Sequence, residues 1–176
     1  PGFAGPPAAR ALRRARGREL LGRSALDKDL VQSTWKVAVP EASSLEAVGT
    51  LLFENLFEQE PAAIELFPFM KGDDREKVKS KPLYKAHVKG VAGAVDDAVK
   101  GLDSLEDIAP VLESLGRRHN NYGTLEPHYD LVGAAFLTTL EQALAPQGLW
   151  TPEAKESWQE VWGVVAATMK KGQGFK

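Results

Sequence analysis

The stretch Leu102–His119, LDSLEDIAPVLESLGRRH, decides how this chain is read. Ile108, Leu112, Leu115 and His119 fall at offsets 0, 4, 7 and 11, which is one face of an α-helix. The apolar stripe closes on an imidazole where the helix runs out, just before the polar run Asn120 to Gly123. His119 is therefore expected to face inward, with Arg117 and Arg118 toward solvent.

The helix before it repeats the pattern. His87, Val91, Ala94, Val95 and Ala98 stand at offsets 0, 4, 7, 8 and 11. They lie away from a polar face assigned to Lys85, Lys89, Asp96 and Lys100. A lone histidine on an apolar face is ordinarily a neutral, hydrogen-bonded core residue. Two of them in consecutive helices are a different matter, because neutral imidazole is a common metal ligand and suits iron, zinc or copper.

The rest of the chain narrows this choice. There are no cysteines, so disulfides, thiolate metal sites and thiol nucleophiles are excluded. The only other histidine, His128, sits in the first turn of a later helix beside Glu126 and Asp130, where a solvated surface role is the ordinary one. Zinc wants three or four protein ligands. A haem iron needs one or two, because the porphyrin supplies four, and two inward imidazoles meet that count. Phe53, Phe67 and Phe69 supply aromatic surface for a flat apolar group.

The periodicity beyond these helices is helical throughout. Helices are expected from Asp27 to Val39, through LEAVGTLLFENLFEQE after Ser43 and Ser44, and over a short PAAIELF segment ending before Pro68. KGDDREKVKSK reads as a polar connection, and a long helix should follow from Pro82 to Lys100. Ser104 is the expected N-cap of the deciding helix. EPHYDLVGAAFLTTLEQALA follows, then a last helix opened by Thr151 and Pro152 and closed before Gly172. Alternating strand patterns and hairpin signals are nearly absent, so the class is all-α.

The chain has 176 residues, 43% of them hydrophobic, which suffices for one domain with a sizeable core. No apolar run approaches the ~18–20 residues of a membrane span. The net charge of −2 argues against a nucleic-acid binder. Charge is uneven, however: residues 1–26 carry six arginines and one acid, net +5, on a body of net −7. Two units are expected, a basic Arg/Ala/Pro/Gly-rich extension over 1–26 and a helical domain over 27–176. The arm reads as an extension without its own fold, with organelle targeting or contact with anionic lipid as the functional alternatives. The first residue is Pro rather than Met, as in a fragment or a processed product. Absence of cysteine and of a secretory h-region suits a cytoplasmic, intracellular setting. No pattern sets an oligomeric state.

Taken in order, QSTWKVAV, GTLLFENLFEQEP, ELFPF, HVKGV, LESLGRRH and WTPEAKESWQEVWGVVAATM resemble the globin family, most closely its neuroglobin-like, hexacoordinate branch. The resemblance spans about residues 27–172, with the two histidines 32 positions apart. It implies the globin fold, a three-over-three helical sandwich around haem b (iron protoporphyrin IX). His119 corresponds to the proximal ligand and His87 to the distal histidine. Phe67 corresponds to the phenylalanine packed flat on the haem, Val91 to the aliphatic residue over the iron, and Phe53 to the aromatic that closes the distal side. Leu115, Tyr122, Tyr129 and Phe136 would line the proximal side or the back of the pocket, and Arg118 would pair with a propionate. Gly90 and Phe69 depart from the pattern, standing where this branch often has a lysine and a tyrosine at the propionates. Phe53 also lacks the hydroxyl that nitric-oxide-dioxygenating bacterial relatives use.

The function implied is reversible binding of O2, CO and NO. His87 would either donate a hydrogen bond to the gas or compete with it as sixth ligand, and the neuroglobin-like character favours competition. Alternatives at the same iron are a redox enzyme (a nitric oxide dioxygenase or nitrite reductase fed by an external reductase) and a haem-based gas or redox sensor. An all-α interaction domain without cofactor is the plainest rival. In every haem reading the second N–H of His119 should donate to a carbonyl one turn back, that of Leu115.

Overall fold

The computed structural model describes residues 26–70, 72 and 74–175. The expectations for the basic arm fall on residues outside this set, except Leu26, which packs against the core. All regular elements among the described residues are helical, as expected.

Helix α1, Lys28–Ala38, begins where the Asp27 carboxylate accepts the Leu30 N–H. It buries Val31, Thr34 and Trp35. Helix α2, Ser44–Gln59, is followed by two tight 3-10 turns, Pro61–Leu66 and Pro68–Met70. The expected polar connection contains a further helix, α3, Arg75–Ser80, capped by Asp74 and holding Val78 fully buried. One apolar residue among eleven left no periodicity to read, so this helix owes its place to tertiary packing. Helix α4 is Pro82–Lys100, α5 is Leu105–His119, and α6 is Glu126–Leu144. Helix α7, Pro152–Gln173, opens with the Thr151 hydroxyl accepting the Ala154 N–H.

Ser104 stands at the N-cap of α5 as expected, but its side chain makes no capping hydrogen bond. The expected end of the last helix is corrected. Gly172 lies inside α7, which stops only at Gly174, whose φ of 90° is left-handed. Gly172 serves a close approach instead. A Cβ there would stand 2.2 Å from the Glu113 carbonyl oxygen, and one at Gly116 would stand 2.1 Å from that of Met169. These two glycines let α5 and α7 lie backbone against backbone.

The packing of pairs sets the frame. α5 lies along α7, and α2 lies against both α4 and α6. α4 and α5, consecutive in the chain, touch little. Between α2 and α6 the register is set by polar contacts, with the Asn55 amide donating to Thr139 Oγ1 (2.9 Å) and to Gln142 Oε1 (3.0 Å). Trp35, Phe136 and Trp158 form the aromatic centre, with ring centroids 5.6–6.4 Å apart. Phe136, expected at the back of the pocket, instead belongs to this cluster and also meets Trp162. Asp96 leaves the polar face assigned to it: it accepts the Trp35 indole N–H at 2.9 Å and is mostly buried.

Candidate functional site

His119 ends α5 and is half-buried. Its Nδ1 lies 2.8 Å from the Leu115 carbonyl oxygen, the hydrogen bond expected from the sequence. A carbonyl only accepts, so Nδ1 carries the proton and Nε2 keeps its lone pair. The ring edge-contacts Tyr122 at 5.8 Å and lies 6.3 Å from Tyr129. Tyr122 is 65% exposed, so it covers the imidazole from the solvent side and does not line an interior. Tyr129 is buried, and burial pushes its hydroxyl up to about 12, which keeps it a neutral donor.

On α4 the fully buried stripe is Tyr84, Val88, Ala92, Val95 and Val99. His87, Val91 and Ala94 form a parallel half-buried stripe one position away. The reading of His87 as part of the buried stripe is thus refined: it lies at the margin of the core. Three phenylalanine rings surround it, Phe53 at 5.2 Å, Phe67 at 5.5 Å and Phe69 at 5.7 Å between centroids. Phe53 comes from α2, Phe67 stands between the two 3-10 turns, and Phe69 lies in the second of them. The Lys81 ammonium ties this turn down by donating to the Phe69 carbonyl at 3.0 Å. Among the described residues, none forms a hydrogen bond with the His87 ring.

Burial holds the His87 imidazole below its ordinary value, and the charge of His119 adds to the depression. The two rings are thus close enough for charge on one to oppose charge on the other. One ring belongs to α4 and the other to the end of α5. A surface concavity lined by Ser43, Glu46, Ala47, Thr50, Leu51 and Glu54 includes neither histidine. Among the described residues no group of three His, Asp or Glu side chains could hold a metal ion. What the fold brings together is a pair of imidazoles.

The globin family model matches residues 50–169, which include both histidines. This chain belongs to the globin family. It is 31% identical over 151 residues to a neuroglobin of Danio rerio, covering 83% of this chain and 89% of the relative. It is 30% identical over 154 residues to a neuroglobin of Tetraodon nigroviridis, covering 85% and 91%. A crystal structure described as a hexacoordinated heme protein from an anhydrobiotic tardigrade superposes with a TM-score of 0.74 at 19% identity, covering 84% of this chain and 92% of that one. That likeness speaks for the fold.

Within this globin the remaining expected site residues are distributed as follows. Leu115 is half-buried and packs with Leu112, Val165 and Met169. Val91 is half-buried against the main core. Arg118 is exposed beside His119. His128 is half-buried, and its Nδ1 accepts the Leu125 N–H at 3.0 Å, so it caps α6. Phe69, named from the sequence as aromatic surface, touches His87. Sequence reasoning missed one partner. Gln173 approaches the turn after His119 from the far end of α7, and no local pattern could announce it.

Among the described residues no helix is long and apolar enough to cross a membrane.

Proposed function

We propose that this globin carries haem b between α4 and α5 and reversibly binds diatomic gases there, O2 with CO and NO. One observation carries the reading: the Nδ1–H of His119 is committed to the Leu115 carbonyl at 2.8 Å, so Nε2 is left as a free, neutral metal donor. The residues present fit the group. Two imidazoles meet its ligand count, and Phe53, Phe67 and Val91 provide apolar surface near His87. When bound, the haem would supply an iron able to bind a diatomic gas.

His119 is the protein ligand on one side, made more basic by the carbonyl its Nδ1–H faces. Leu115, Tyr122 and Tyr129 hold it from the flanks, and Arg118 is placed to meet a propionate. His87 is the competing ligand on the other side. Burial disfavours charge on its ring, which makes no hydrogen bond among the described residues, so it would be available to compete for the iron. Competition lowers the apparent gas affinity by the fraction of protein with His87 displaced. The neuroglobin relatives, and the hexacoordinated description of the tardigrade protein, support this form of the site.

The test is the visible spectrum of the ferrous, haem-reconstituted protein without gas. Split low-spin bands are expected. A broad five-coordinate band would remove His87 from the iron and leave haem binding intact. A protein that stays colourless after reconstitution would overturn the whole reading.

A further inference from the structure

The turn that follows His119 is gripped by a single side chain from another helix. Gln173 closes α7, 54 positions further along the chain. Its side-chain amide donates to Asn120 Oδ1 at 3.2 Å and to the Thr124 carbonyl at 3.0 Å. Its side-chain oxygen accepts the hydroxyl of Tyr129 at 2.5 Å. Its backbone carbonyl accepts the Asn120 amide at 3.3 Å. The Thr124 carbonyl can only accept, so the orientation of the Gln173 amide is determined.

The grip has a definite target. Asn120 is the residue directly after His119, and the Thr124 N–H donates back to the His119 carbonyl at 3.3 Å. Gln173 therefore holds both ends of the short turn that His119 opens. The Tyr129 that bonds Gln173 also lies beside the His119 ring and receives the Trp162 indole N–H on its carbonyl at 3.1 Å. Lys170, one turn before Gln173, lies over the Tyr129 ring at 5.8 Å and pairs with Glu126 and Asp130. The contacts of Gln173 converge on the turn that follows α5 and on Tyr129 at the start of α6.

We infer that Gln173 is a positioning residue for the proximal imidazole, acting through Asn120, Thr124 and Tyr129 to keep the His119 Nδ1–H on the Leu115 carbonyl. The inference rests on the proposed role of His119, and it adds a residue to that site. The Leu115 carbonyl sets the plane and tautomer of the ring. Gln173 keeps the helix end from fraying, so that the carbonyl and the ring stay in register. Without the grip the helix end loosens, the Nδ1–H bond lengthens, and the imidazole becomes a weaker donor.

Gln173→Met keeps the length of the side chain and removes its hydrogen bonds. Two measurements test it. In the haem-free protein, nitrogen NMR of labelled histidine should find His119 as the Nδ1–H tautomer, with Gln173→Met shifting it toward a mixture with Nε2–H. In the haem-loaded protein, a His87→Leu background leaves His119 alone on the iron. There Gln173→Met should lower the iron–histidine stretching frequency and speed haem loss about tenfold. Tyr129→Phe should do the same more weakly. Unchanged tautomer and stretching frequency in Gln173→Met would overturn the inference, as would a lower melting temperature with both signatures intact. Failure to bind haem at all would overturn the proposed function and leave the tautomer measurement to judge Gln173.

Discussion

The two imidazoles of this globin are held in opposite ways. Around His119 the contacts are directional: a carbonyl on Nδ1, and a hydrogen-bonded turn gripped from α7. Around His87 they are three aromatic rings and no hydrogen bond among the described residues. A directional bond sets the tautomer and plane of a ring. Apolar contact bounds a ring's volume without selecting a tautomer. The difference matches the proposed roles, a ligand that stays at His119 and one that exchanges at His87. A permanent ligand needs fixed geometry, whereas a ligand that competes with a gas must be able to leave.

The harshest test of that contrast is His119→Ala, expected to abolish stable haem binding. A reconstituted variant with a normal Soret band would end the assignment of His119 as the permanent ligand. His87→Leu should act on the other side alone. It should retain haem, give a five-coordinate ferrous spectrum, and bind CO faster by the factor with which His87 had closed the site. Stopped-flow mixing with CO measures this, and an unchanged rate would show that His87 does not compete.

Phe53→Ala probes the apolar cage. Phe53 is 3% exposed and touches Phe57, Phe67, Tyr84 and His87, so truncation should cost about 3–5 kcal/mol of stability. Urea unfolding measures it, and a loss below about 1 kcal/mol would show that the cage is not packed as described.

The mildest effect concerns pH. Burial first, and the charge of His119 second, keep His87 below the ordinary 6.5. The unfolded chain therefore binds more protons than the folded one just below that value. Stability of the haem-free protein should fall as pH drops from about 6.5 toward the folded value. His87→Leu should flatten the slope, and identical slopes in the two proteins would place the proton uptake elsewhere.

Legibility in the sequence followed the range of the interactions. The long helices were readable because their apolar stripes are local and periodic. Helix α3 was not, since it turns on the single buried Val78. Asp96 read as a surface charge because its partner, Trp35, lies 61 positions away. Phe136 was placed near the pocket because an inward face does not say which part of the interior it meets. At the candidate site, His119 and its bond to Leu115 lie within one turn and could be foreseen. Gln173 could not, because its partners belong to another helix and the turn beyond it.

By itself the sequence determined an all-α globin chain with two imidazoles on inward stripes, since helical period and residue type are written locally. Tertiary structure decided that the two rings lie close enough for the charge of one to be felt at the other. It also decided that one ring is tied down and the other only enclosed. The physical reason is that nearness and fastening depend on distant segments, and glycines such as Gly116 and Gly172 bring those segments together only after the chain has folded.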